Sequence, residues 1–134
     1  KNNISSSNLS NSNSALKLAE WISEIPLIYY PWGLNVAAIR FKNSLQENAK
    51  LHAITEDVVE ACHNGIVAWE KTSSVKPILI EGKDDYIKTK ERWNIVKEYF
   101  EIKGIVVSPI VDIFPYNEEL DKEISRKPLE EVQD

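Results

Sequence analysis

Residues 26–30 read Pro-Leu-Ile-Tyr-Tyr, and Pro31-Trp32-Gly33 follow at once. A short run that is apolar at every position and closes on a Pro/Gly turn reads as a strand buried on both faces, the kind found in parallel sheets. The flanks agree. Upstream, Ala15, Leu18, Ala19 and Ile22 recur at i, i+3, i+4 and i+7, one apolar helical stripe with Ser14 as its expected N-cap and Pro26 as its stop. Downstream, Leu34, Ala37, Ala38, Phe41 and Leu45 keep helical spacing to about Glu47.

The alternation continues along the chain. Residues 51–55 form a second candidate strand, and Thr55, Glu56 and Asp57 open a short helix over 56–62. His63-Asn64-Gly65 breaks that helix before a further helical turn at 66–71. Residues 77–81, Pro-Ile-Leu-Ile-Glu, make a third strand. The longest helix is expected over about 85–103, with Gly104 at its C′ position. Residues 105–108 and 110–113, separated by Pro109, form a fourth strand region, and the charged tail from Tyr116 is partly helical in propensity. Strands alternating with helices imply an α/β fold, a parallel sheet with helices on both faces. Ligands in such sheets sit beyond the carboxyl ends of the strands. That singles out the turns at 30–35 and 55–64.

A chain of 134 residues is one domain by length. Its net charge of −5 argues against the basic face that nucleic acids require, while leaving room for a local cationic pocket. The single cysteine, Cys62, cannot close an internal disulfide. No apolar run approaches the roughly 18 residues that span a bilayer, and the polar N-terminus does not resemble a signal peptide. The expectation is a cytoplasmic protein with neither a membrane nor a nucleic-acid partner. Residues 1–14 are nearly all Asn and Ser and are expected to be a disordered linker or tail, so the domain proper is 15–134. A linker at the start reads as the second half of a longer chain.

Glu47 falls at the end of the second helix, where the macrodipole disfavours a negative charge. It reads either as a functional carboxylate or as a solvated helix-end residue. His63, beside the loop dipeptide Asn64-Gly65, reads either as a catalyst or as a capping group. His52, between Leu51 and Ala53, reads as a structural residue of a strand. Cys62 adjoins His63, but neighbours on a helix point apart, and no other Cys or paired His supplies metal spacing. The nucleophile and metal readings of Cys62 therefore fall. Trp69-Glu70 reads as packing and salt linkage, Trp21, Trp32 and Trp93 as core or interface, and the acidic residues at 118–123 as a solvated face. No Gly-rich phosphate loop is present, and Pro31 removes a donor from the first strand–helix junction. No cofactor and no metal is expected.

Three blocks carry a resemblance: ALKLAEWISEIPLIYY (15–30), AIRFKNSLQENAKLHA (38–53) and CHNGIVAWE (62–70). Over about residues 15–107 the chain resembles the second sugar-isomerase (SIS) domain of the bifunctional phosphoglucose/phosphomannose isomerases. The resemblance implies an SIS-type three-layer sandwich with a central parallel sheet of about four to five strands. It implies a metal-free interconversion of aldose and ketose 6-phosphates (glucose or mannose 6-phosphate to fructose 6-phosphate) through a cis-enediol. Glu47, in the Gln-Glu-Asn-Ala-Lys block, would carry the proton between C1 and C2. His63, in the His-Asn block, would assist ring opening. The family's active site lies at a dimer interface, so a homodimer or a partner SIS domain is implied, with His63 acting on the neighbouring subunit's substrate. The other reading is a non-catalytic SIS module for phosphosugar binding or dimerisation. Three departures stand out. Tyr30-Pro31-Trp32 replaces a Gly-Ser type turn. Gly65 replaces a usually acidic residue. Lys122 and Lys127 are only weak matches for the family's ring-opening lysine. The family also anchors the phosphate with a first SIS domain, so this chain by itself is expected to be weakly active or inactive.

Overall fold

Asn13, not Ser14, starts the first helix. In the computed structural model, which describes residues 7, 9–10, 12–108 and 111–113, its side chain accepts from the N–H groups of Ala15 (3.1 Å) and Leu16 (3.2 Å). These are donors that a helix start otherwise leaves without partners. The elements are α1 (Ser14–Trp21), β1 (Pro26–Tyr30), α2 (Asn35–Ser44), β2 (Ile54–Asp57), α3 (Val58–His63), β3 (Lys76–Gly82), α4 (Ile87–Ile102) and β4 (Val111–Ile113). A π turn, Leu45–Ala49, prolongs α2, and a 3₁₀ segment, Gly65–Glu70, follows α3.

The body of the sheet is three parallel strands, β2, β1 and β3, with the apolar β1 in the middle. The short β4 pairs parallel to β3 from Ile80↔Val111 to Gly82↔Ile113, so the order is β2-β1-β3-β4. From β1 the chain crosses one way to β2, then back past β1 to β3. Right-handed crossovers in opposite directions must use opposite faces. The side chains show this, because successive strand residues point to opposite faces. Ile28, Ile78 and Ile80 pack with Ala38 of α2, and with Leu18, Trp21, Leu34, Phe41 and Leu45 around them. Tyr29 and Leu79 pack with Val58 and Ala61 of α3, Trp69, and Trp93, Val96 and Phe100 of α4. The result is three layers: α1 and α2, the sheet, then α3, the 3₁₀ segment and α4.

Several expectations move. The second strand is 54–57 rather than 51–55, and the helix start expected at Thr55 shifts to Val58. Pairing with β1 from Leu27↔Ile54 to Tyr30↔Asp57 holds Thr55 and Glu56 extended. Asp57 then caps α3, its Oδ1 accepting from Val59 N (2.8 Å) and Glu60 N (3.4 Å). His52 therefore lies outside any strand and is exposed. The fourth strand region contracts to Val111–Ile113, since residues 105–108 are tied to β3 by Ser108 N to Pro77 O (3.1 Å) without forming a ladder. The longest helix begins at Ile87 and ends as expected before Gly104, whose φ of +69° suits a glycine C′. The tail from Tyr116, with Lys122, Lys127 and the acidic run at 118–123, lies outside the described residues.

In the layer beneath α4, the Trp69 indole donates to the Tyr29 hydroxyl across 2.8 Å, and Phe100 meets the Trp69 ring edge-on at 5.2 Å and 79°. Burial pushes the Tyr29 hydroxyl up to about 12. Tyr29→Phe would leave a buried indole N–H without that acceptor. We expect it to lower unfolding free energy by about 1–3 kcal/mol, read as a drop in urea midpoint at constant m. An unchanged midpoint would mean the hydrogen bond contributes nothing net.

Candidate functional site

The chain leaves α2 through the π turn, in which the Lys50 N–H reaches back to Leu45 O. Lys50 then takes φ +56°, the one positive φ outside glycine among the described residues. A left-handed non-glycine residue costs roughly 1–2 kcal/mol. The Lys50 ammonium donates to the Glu47 carbonyl oxygen at 2.5 Å. The cation that the helix end calls for is thus present, but it is bound to backbone. The exposed Glu47 carboxylate projects from the turn without it. π turns and left-handed non-glycine residues both concentrate at functional sites, and here both fall on the Gln-Glu-Asn-Ala-Lys block.

His63 is the exposed last residue of α3, where Asn64 caps the helix through Asn64 N to Glu60 O (2.9 Å). Because α2 and α3 cover opposite faces of the sheet, Glu47 and His63 stand on opposite layers. Glu47 also ends the crossover that returns the chain to the amino end of β2. One chain does not bring the two side chains together.

Gly65 stands against the end of a side chain far from it in local pattern, Glu56. A Cβ at position 65 would collide with both carboxylate oxygens of Glu56, which rises from β2 opposite Tyr29. The carboxylate fills the space that a side chain at 65 would take. Burial, and after it the charge of Glu60, holds the Glu56 carboxyl above its ordinary 4.5. No local pattern in the sequence pairs residues 56 and 65; only the β2–α3–3₁₀ path does. A raised folded-state pKa means the folded chain holds this proton more tightly than the unfolded one. Ionising Glu56 therefore costs stability as pH rises from 4.5 through the folded value. We expect Glu56→Gln to be more stable than the parent at pH 7, with the difference gone well below pH 4.5. Urea midpoints at the two pH values check this, and an offset independent of pH would contradict it.

The remaining candidates divide clearly. Burial pushes the Cys62 thiol up, against the pull of Arg92, which makes it a poor nucleophile. Trp69 is in the core, and Glu70 is held by the Tyr99 hydroxyl (2.9 Å) and the Lys103 ammonium (2.7 Å). Those bonds, Lys103's first, hold the Glu70 carboxyl below its ordinary value. The pair packs and links, as expected. Trp93 is core, and Trp21 is half-buried with the Lys76 ammonium 5.5 Å from its ring. Trp32 is not core at all, being 90 % exposed.

At the carboxyl ends of β1 and β2 lies an opening of about 310 Å³ lined by Tyr30, Trp32, Gly33, Asn35 and Asp57. These residues belong to the two turns that the alternation of strands and helices singled out. The crossovers diverge between β1 and β3, where a ligand crevice is usual. There a Cβ on Gly82 would sit 3.3 Å from Leu34, and Gly82 N donates to Asp85 Oδ2 at 2.9 Å. Leu34 and Asp85 thus stand beside Gly82 at that point, and the opening lies one strand over. A larger opening of about 440 Å³ lies at the amino end of β3, beside Lys71, Lys76 and the Glu70–Lys103 pair.

Parallel strands with crossovers on both faces define the class, a three-layer α/β sandwich. Within it, a model of the bacterial phospho-glucose isomerase C-terminal SIS domain family matches residues 11–112, three quarters of the chain. The chain belongs to that family, and the match spans Glu47, His63 and all three quoted blocks. No curated protein matches the chain. Among the described residues no helix is long and apolar enough to cross a membrane.

Proposed function

We propose that this chain is the C-terminal SIS domain of a cytoplasmic phosphoglucose/phosphomannose isomerase. It acts on glucose, mannose and fructose 6-phosphates through an enediol, without metal or cofactor. Glu47 moves the proton between C1 and C2. His63 assists ring opening, and it does so on the substrate held by a second copy. The observation that carries this reading is the family match together with the backbone at 45–50, where a π turn and a left-handed lysine present Glu47 to solvent. The opposed layers of Glu47 and His63 support a site shared between copies rather than one closed within a chain. Phosphate anchoring falls to a first SIS domain, and without it positioning worth several kcal/mol of barrier is lost.

The test is fructose 6-phosphate isomerisation by the longest form of the gene product, alone and with Glu47→Gln. Activity that collapses in the variant supports the proposal. A folded, inactive parent would retire it. The second reading, a non-catalytic SIS module for phosphosugar binding or dimerisation, is favoured by one observation. Gly65 stands where the resemblance implies an acidic residue, and the Glu56 carboxylate that occupies the space is half-buried.

A further inference from the structure

The opening at the carboxyl ends of β1 and β2 joins an aromatic plane, an amide and a carboxylate oxygen in one small space. Trp32 makes no ring or cation contact among the described residues. Asp57 uses Oδ1 for both N–H groups of α3, which leaves Oδ2 for a ligand. The exposed Asn35 amide offers both donors and an acceptor. No Lys or Arg is among the lining residues, so an anion would meet the Asp57 charge without compensation. Tyr30 packs with the cluster on the α2 side, so Trp32 provides the one open aromatic plane, whereas a cation is held by several. A neutral ring bearing vicinal hydroxyls satisfies every group. Its C–H side lies on the electron-rich indole face, and its hydroxyls bond Asp57 Oδ2 and the Asn35 amide. The volume of about 310 Å³ is at the small end of the roughly 300–1,000 Å³ usual for small-molecule pockets.

We propose that this crevice binds a neutral, unphosphorylated sugar ring. The site uses neither Glu47 nor His63 and stands whatever reaction those residues perform. The experiment is a titration of the protein with glucose, followed through the Trp32 indole and Asn35 side-chain amide resonances. Both should shift saturably, and affinity should fall about ten-fold or more in Trp32→Ala and in Asp57→Asn. Trp32 is too exposed for its loss to unfold the chain, and asparagine still caps α3. Glucose 6-phosphate should bind this site more weakly than glucose, and Glu47→Gln should bind glucose as the parent does. The last arm separates this site from the isomerase reading. Four results would overturn the proposal: no saturable shift with glucose; affinity unchanged in Trp32→Ala; tighter binding of tetramethylammonium or of glucose 6-phosphate; a Trp32 shift that follows protein concentration instead of sugar, which would make the face a contact between copies.

Discussion

Mixing the Glu47→Gln and His63→Ala variants of the longest gene product is expected to restore about a quarter of the parent's isomerase activity, although each variant alone falls about 10²–10⁴-fold. The number follows from the layers. Glu47 is carried by the α2 side of the sheet and His63 by the α3 side. A site that uses both therefore takes one from each of two copies. In a two-fold dimer of one variant, both sites carry the same defect. In a mixed dimer one site collects both defects and the other neither. If copies exchange at random, half the dimers are mixed and half of their sites are intact. Refolding the two variants together, then assaying fructose 6-phosphate conversion, reads the recovery. Zero recovery with demonstrated exchange would place both residues on one chain's substrate, or neither at the chemistry. Neither substitution touches the core, since both side chains are exposed, so loss of folding is not an expected confusion.

Phe100→Ala is expected to lower unfolding free energy by about 3–5 kcal/mol, a large part of the roughly 5–15 kcal/mol that holds a domain together. Phe100 is fully buried, and its ring lies 6.2 Å from that of Tyr29, 5.2 Å from Trp69 and 6.0 Å from Tyr99. It is the point at which α4, β1 and the 3₁₀ segment meet. Truncation leaves a cavity under a ring cluster that the Tyr29–Trp69 hydrogen bond keeps from collapsing. Urea unfolding should show a lower midpoint at an unchanged m. A loss below about 1 kcal/mol would mean the cluster repacks freely. Trp32→Ala, at the other extreme of exposure, should stay within about 0.5 kcal/mol of the parent in the same measurement.

The strands and the core face of α2 were legible in the order of residues because burial leaves a period, whereas Ala15 and Ala19 of the stripe expected on α1 are exposed, and Trp21 packs beside Leu18 and Ile22 instead. The apolar run at 26–30 reads as a strand covered on two sides, and it is the central strand with neighbours left and right. The stripe Leu34, Phe41, Leu45 marked the core face of α2, and Gly104 marked the end of α4. The Gln-Glu-Asn-Ala-Lys and His-Asn blocks were legible as motifs, and the family match covers them. Less could be read where two local signals competed. Thr55 and Glu56 carry helix-start chemistry, yet the ladder to Ile28 and Tyr29 holds them in a strand. Trp32 reads as core or interface, and the Pro31–Leu34 turn, with Gly33 at φ +92°, rules out the core by turning it out to solvent.

The sequence by itself determined the class of fold, a buried strand at 26–30, the core face of α2 and the two blocks that carry the family. These depend on contacts between near neighbours and on the period with which apolar residues recur. Only the tertiary structure decided which layer each block occupies, that Glu56 fills the space beside Gly65, and that the open crevice lies over β1 and β2. Those facts rest on the direction of each crossover and on side chains far apart in sequence meeting in space. A one-dimensional pattern contains neither.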